Sequence, residues 1–226
     1  MNNTKYSSDI NNSYKDNLYQ IEAEYPLNNN NEISNWFRDN GDYTHNINYN
    51  LNEDSIIIDL GGYTGVWAQQ MIDRYNPNVY ILEPVPIFYE GMVNKFLTNN
   101  KVNLMNVGVG VEDKDGFIFM SGDGTSSNLA IGESISVKFN TIDTILEEWG
   151  LNEVDLIQIN IEGDEYSILE KMIENGSINK FNNIQVQFHL GIENCVERRE
   201  KIRNGFIKNG FKNNFDYAFV WESWGK

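Results

Sequence analysis

Cysteine is almost missing from this chain of 226 residues: Cys195 is the only one. No intrachain disulfide can form. A lone thiol followed by Val-Glu-Arg-Arg-Glu in a predicted helix reads as structural rather than nucleophilic. Histidine is nearly as scarce, at His45 and His189. No H-E-x-x-H segment or cysteine cluster is present to suggest a zinc centre. Basic residues are outnumbered, 17 Lys and Arg against 33 Asp and Glu, for a formal net charge of -16. That balance favours solubility and opposes nonspecific binding to nucleic acid or to an anionic membrane surface. No apolar run approaches ~20 residues and no signal-peptide core opens the chain, so no membrane span is expected. A soluble, cytoplasmic protein is the expectation. Oligomeric state is not legible.

What is present is an ordinary globular composition, 40% hydrophobic and 13% aromatic, in a chain long enough for one sizeable domain. Residues 1–30 are rich in Asn, Ser, Lys and Asp and read as a flexible arm. Residues 31–226 read as the domain. Glu32 to Asp39 suits a short helix with Ile33, Trp36 and Phe37 on one face. Strands are expected at 55–60, 79–82, 102–109, 156–161, 184–188 and 216–221. Helices are expected at 64–75, 86–97, 141–150, 165–174 and 195–209. A ribbon of two strands, 116–120 and 134–139, encloses a polar loop at 121–128. Strand and helix alternate through the core, which implies a mostly parallel, doubly wound sheet with right-handed crossovers. Trp36, Trp149, Trp221 and Trp224 are expected mainly in the core.

Two apolar runs end in polar residues, as buried parallel strands do when they deliver side chains to a site. The first is Ile56-Ile57-Ile58-Asp59-Leu60-Gly61-Gly62-Tyr63-Thr64-Gly65. A glycine-rich turn between strand and helix lets a ligand approach the backbone closely. An acid ahead of the glycines would repel a pyrophosphate, which disfavours a flavin or NAD enzyme. It suits a cationic or amino-bearing ligand such as S-adenosylmethionine. Glu83 ends the next strand, where a carboxylate can accept hydrogen bonds from both ribose hydroxyls. The second run ends in Asn160, Glu162, Asp164 and Glu165, at the carboxyl edge of a strand near mid-sheet. Asp164 and Glu165 suit a helix cap and its dipole, which leaves Asn160 and Glu162 for chemistry. His189 ends the following strand, beside them if the strands are neighbours, and could take a proton from a hydroxyl. Asn160, Glu162 and His189 could alternatively hold a divalent cation, although no metal ligand set is favoured.

Together the segments I-I-I-D-L-G-G-Y-T-G-V-W (56–67), V-Y-I-L-E-P (79–84), N-V-G-V-G (106–110), L-I-Q-I-N-I-E-G-D-E-Y-S-I-L (156–169), I-Q-V-Q-F-H (184–189) and F-V-W-E-S-W (219–224) resemble the FkbM family of methyltransferases. Asn160 stands where many members carry Asp, which matches a subgroup with N-I-E-G-x-E and Q-F-H. The resemblance implies an α/β, Rossmann-like class I fold with an antiparallel C-terminal strand. It implies methyl transfer from S-adenosylmethionine to a hydroxyl of a sugar, glycan or related metabolite, commonly in surface-polysaccharide biosynthesis. It also implies a cofactor site at Asp59, Gly61, Gly62, Tyr63 and Gly65, with Glu83 on the ribose. Asn106 and Val107 would lie near the adenine, and Ser126 and Ser127 on a loop that closes over it. His189 is then the expected general base, Glu162 the second candidate and Asn160 an orienting group. A nucleic-acid methyltransferase is disfavoured by the charge and by the absence of an N-P-P-Y or D-P-P-Y strand end. An inactive scaffold that keeps the cofactor is the alternative.

Overall fold

The computed structural model describes residues 32–121, 124–126 and 133–226. The arm expected at 1–30, and Ser127 with it, lie outside the described residues. The core is a seven-stranded sheet. In chain order its strands are β1 (Ile56–Leu60), β2 (Asn78–Leu82), β3 (Val102–Met105), β8 (Val154–Ile159), β9 (Phe181–Val186), β10 (Lys212–Tyr217) and β11 (Trp221–Gly225). They lie in the order β10-β11-β9-β8-β1-β2-β3. The run from β9 to β3 is parallel, and β11 is antiparallel to both of its neighbours. This is the doubly wound α/β sheet with an antiparallel C-terminal strand that the alternating pattern predicts.

Ile57, Val79, Ile81 and Leu156 are buried on one face of the sheet under Trp67, Ala68 and Met71 of the helix Val66–Tyr75. Ile58, Leu60, Ile157, Ile159 and Ile184 are buried on the other. There they meet Tyr166, Leu169 and Met172 of the helix Glu165–Asn175 and Ile202 and Phe206 of the helix Cys195–Lys208. Both faces are apolar because both are covered, hence the uninterrupted strand sequences.

Three departures from the sequence pattern have physical causes. The single strand expected at 102–109 is divided. β3 stays with β2, while β4 (Gly108–Val109) pairs with β7 (Glu133–Asn140) in a second sheet of order β4-β7-β5-β6. The chain changes sheets at Asn106, whose amide donates to the carbonyls of Glu83 (2.8 Å) and Pro84 (3.1 Å). The other members of that sheet are β5 (Lys114–Ser121) and β6 (Gly124–Ser126), the latter inside the stretch expected to be a loop.

The C-terminal strand lies at 221–225 rather than 216–221, and it is the second arm of a hairpin with β10. Helix Cys195–Lys208 anchors this hairpin through Arg199, whose side chain is 2% exposed and meets Glu222 (2.5 Å) and Asp216 (2.6 Å). Arg203 bridges the same two carboxylates.

The helix Glu32–Arg38 buries Trp36 and leaves Ile33 and Phe37 exposed. Its indole bonds Asp42 (3.0 Å) and packs edge-on against Tyr217, so one ring rather than a stripe docks this helix on the hairpin. Trp221 and Trp224 are core residues as expected, and Trp149 is partly buried against Tyr80.

Removing one partner of a buried ion pair strands the other charge without solvent. Glu222→Ala, which removes the buried carboxylate that the Arg199 guanidinium meets, is expected to cost about 3 kcal/mol of stability. Urea unfolding monitored by tryptophan fluorescence measures it, and a loss below about 1 kcal/mol would show that the network does not hold the hairpin.

Candidate functional site

The carboxyl ends of β1, β2 and β8 meet at a cleft of about 260 Å³. Gly61, Tyr63, Glu83, Val107, Asn160, Ile161, Glu162 and Asp164 contribute to its wall. Open α/β sheets bind ligands at this edge.

The glycine turn after β1 is built by the backbone. Gly61 and Gly62 donate to the carbonyl of Leu82 (3.0 and 3.2 Å), which ties the turn to the end of β2. Gly61 has φ 83°, and a side chain there would overlap the carbonyl oxygen of Asn160 at the end of β8. Only glycine allows the two strand ends to approach so closely. Tyr63 also takes a left-handed backbone (φ 49°), and its half-exposed ring stands edge-on to Phe88, 4.4 Å between centroids.

Glu83 holds this turn. One carboxylate oxygen accepts from the Tyr63 N–H and the other from the Val85 N–H, both at 2.8 Å. Burial pushes its pKa up to about 7 although those two bonds pull it down. Asp59 is 2% exposed. Burial first, and then the neighbouring Glu83 charge, raise it to about 7. Two buried carboxylates close enough to repel mark a site suited to a cation.

The second polar cluster sits one strand over. Glu165 is fully buried. One of its oxygens accepts from the Gly163 N–H (2.8 Å), and the other accepts from the His189 N–H (2.7 Å) and lies 3.2 Å from His189 Nδ1. The Tyr166 hydroxyl donates to the His189 carbonyl (2.8 Å). His189 is thus fixed at its backbone by both residues that follow Asp164. Its Nε2 lies 3.5 Å from Glu162. Glu162 has φ 56°, a strained value for a residue with a side chain. Burial opposes a charge on the imidazole, but the hydrogen bonds to Glu162 and Glu165 outweigh it and raise His189 to about 10. The bond from His189 holds Glu162 below the usual carboxylate range, against the effect of burial.

This geometry redistributes the expected roles. Gly61, Tyr63, Glu83, Val107, Asn160 and Glu162 line the cleft, whereas Asp59, Gly62, Gly65, Asn106 and His189 do not. Asp59 is buried in β1 beside Gln158 of β8. Gly62 and Gly65 admit Ile81 and Phe96, so they serve packing. Asn106 fastens the backbone after β2. Ser126 lies in β6, and its side chain is outside the described residues.

Glu162 and Glu165 raise the His189 imidazole to about 10 against the effect of burial, which favours its protonated form over the free base expected of it. Glu165 is more than a dipole partner, because its carboxylate turns inward to join two strand ends. Asp164 occupies the cap position of its helix without a side-chain cap bond. The spacing of Glu165 in E-G-D-E was visible, but the plausible helix-start role masked it. Asn160 lines the cleft, and its Oδ1 is buried without a hydrogen-bond donor. Among the described residues, no group of three or more His, Cys, Asp or Glu side chains is arranged to hold a metal ion.

The raised Asp59 pKa has a signed consequence. Between its ordinary value of 3.8 and about 7 the folded state keeps a proton that the unfolded state has lost. Its contribution to stability therefore falls as pH rises through that window. Asp59→Asn is expected to gain stability relative to the parent on going from about pH 5 to about pH 8, measured by urea unfolding at both. An unchanged difference would show that Asp59 does not titrate there.

Residues 59–212 match the family described as the methyltransferase FkbM domain. No protein of curated function matches the chain significantly in sequence. Among solved structures the chain is similar to fibrillarin from Aeropyrum pernix, determined with natively bound S-adenosyl-L-methionine. That TM-score is 0.48 at 10% identity, over 80% of this chain and 70% of that one. It is also similar to the methyltransferase domain of METTL16, at TM-score 0.47 and 10% identity, over 84% of this chain and 65% of that one. Fibrillarin from Methanococcus jannaschii gives 0.46 at 15% identity, over 77% and 67%. At these scores the structural likenesses add no weight to the family match. No described helix is long and apolar enough to cross a membrane. The match spans more than half of the chain and includes both strand-end clusters, so the chain belongs to the FkbM methyltransferase family and is an S-adenosylmethionine-dependent methyltransferase.

Proposed function

We propose that this chain methylates a hydroxyl of a sugar or glycan during surface-polysaccharide synthesis in the cytoplasm, with residues 31–226 as its single catalytic domain. The sugar and its setting rest on the resemblance carried by the N-I-E-G-x-E and Q-F-H segments. The proton chemistry rests on one observation. Glu162 lines the same cleft as Gly61, Tyr63 and Glu83, while His189 stands behind it as a cation.

The residues fit the cofactor. Glu83 and Asp59 are buried, mutually repelling carboxylates, a surrounding that favours a positively charged ligand. Asn160 Oδ1 offers an acceptor with no donor, and Gly61 opens the backbone to close approach. Glu83 would hold the ribose with the lone pairs its two backbone bonds leave free. Asn160 would meet the amino end, and Val107 would flank the adenine. When bound, S-adenosylmethionine supplies an activated methyl group, which leaves alignment and removal of one proton to the protein.

Glu162 does the latter. It would accept the hydrogen bond of the acceptor hydroxyl, aim an oxygen lone pair along the cleft and take the proton as the O–C bond forms and the methyl–sulfur bond breaks, leaving the thioether product. A low pKa is no handicap. An oxygen that is gaining a third bond becomes a strong acid, so a weak carboxylate base suffices, and pairing with His189 keeps that carboxylate ionised. His189 is the positioning residue for Glu162, and Glu165 is the positioning residue for His189.

Calorimetric titration with S-adenosylmethionine is expected to show binding in the parent and its loss in Glu83→Ala. Radiolabel transfer to a panel of sugar acceptors is expected to fall about 100-fold or more in Glu162→Gln, with cofactor affinity within about twofold. Transfer that survives Glu162→Gln would remove Glu162 as the base. Cofactor binding without transfer to any hydroxyl would favour the scaffold reading.

A further inference from the structure

An aromatic pair lines the cleft beside the glycine turn. Tyr63 belongs to the turn and Phe88 to the first turn of the helix Pro86–Lys95, and both contribute to the cleft wall. Their ring centroids are 4.4 Å apart and their planes meet at 67°. A near-perpendicular pair leaves ring faces open that a stacked pair would cover. Tyr63 is 48% exposed, so its ring has room for a ligand.

The backbone at this ring is strained. Glycine fills three of the five positions 61–65, yet a tyrosine stands at 63 with φ 49°. A left-handed backbone under a large side chain persists only where the surroundings fix it. Here they do. The Tyr63 N–H donates to Glu83 (2.8 Å), and Lys95, on the helix that carries Phe88, donates to the carbonyls of Thr64 (3.0 Å) and Gly65 (2.8 Å). All three bonds use the backbone of the turn, so none of them depends on the Tyr63 ring.

The charges around the ring have one sign. Glu83, Glu162 and Asp164 line the cleft, and among the described residues no Lys, Arg or His side chain lines it. Lys95 is committed to the turn. His189 lies between Glu162 and Glu165, and its charge balances that of Glu162. Lys114, opposite Phe139 on the neighbouring strand, pairs with Glu112 (2.8 Å). Lys138 stands opposite Asp115, on the face of β5 and β7 turned away from Ile118 and the cleft. Arg198 is engaged with Ser167 and Glu170. An electron-rich ring face among acids attracts a cation and gains nothing from a neutral group.

We propose that the cleft reads the charge of its cofactor: it holds cationic S-adenosylmethionine in preference to the neutral thioether product, and the Tyr63 ring makes the distinction. Transfer of the methyl group removes the positive charge that the ring and the acids favour, so the site loosens on the spent cofactor. The inference rests on the cofactor site described above and adds its selectivity.

The test is calorimetric titration of the full chain with S-adenosylmethionine, S-adenosylhomocysteine and sinefungin, whose ammonium replaces the methylsulfonium. The two cations are expected to bind the parent about tenfold or more tighter than S-adenosylhomocysteine. Tyr63→Leu should weaken both cations about tenfold and leave S-adenosylhomocysteine within about twofold, whereas Tyr63→Phe, which keeps the ring face, should hold the preference within about threefold. The proposal is overturned if S-adenosylhomocysteine binds the parent as tightly as the cations do. It is also overturned if Tyr63→Leu weakens all three ligands alike, since the ring would then supply shape and not charge recognition. Failure of all three to bind the parent would instead strike the underlying cofactor site.

Discussion

Two buried glutamates hold this site together, and each does so in the same way. Glu83 uses its two oxygens on the N–H groups of Tyr63 and Val85. Glu165 uses its two on those of Gly163 and His189. In each case the carboxylate spans two turns at the carboxyl edge of the sheet, where strand pairing has ended and backbone donors need new partners. The clamps reinforce the backbone bonds that already join these strand ends, such as those of Gly61 and Gly62 to the Leu82 carbonyl. With them, the glycine turn, the end of β2, the turn after β8 and the end of β9 form one rigid rim. Charge-assisted bonds to N–H groups are stronger than neutral ones, and a carboxylate has two oxygens with which to span two donors.

Rigidity of this kind is what lets Tyr63 and Glu162 keep left-handed backbones. Each costs on the order of 1–3 kcal/mol and persists only where the surroundings over-determine it. Tyr63 is itself a clamped donor and Glu162 stands next to one, and both line the cleft. The strain is therefore localised where side chains must project across a gap rather than fold back. The His189 imidazolium follows from the same construction. A carboxylate on each side stabilises its charge more than burial opposes it, so the second cluster is an alternating row of anion, cation and anion that ends at the cleft with Glu162.

The pattern of elements was legible because buried parallel strands are apolar on both faces and their helices are closed by glycines, as at Gly176. The cofactor edge was legible because acid, glycines and second acid recur at fixed offsets. What escaped the sequence was the direction of side chains. Glu165 at a helix start satisfies a dipole in any fold, and only the parallel pairing of β8 and β9 turns it into a clamp. His189 has the residue type of a base, but two acids from another strand end decide its protonation. The division of 102–109 into strands of two different sheets was hidden too, since both halves are short and half-apolar. The departure is set by the Asn106 amide reaching carbonyls 22 and 23 residues away.

That crossing at Asn106 also shapes the cleft. Because β4 leaves the main sheet to pair with β7, the second sheet is attached beside the cleft, and Phe139 becomes the joint. Its ring packs on the bare backbone of Gly108 and of Gly116, where a Cβ would come within 2.7 and 2.9 Å of it. The same ring lines the cleft. A ring gripped from two strands has little room to swing, so packing against Gly108 and Gly116 sets this part of the cleft wall.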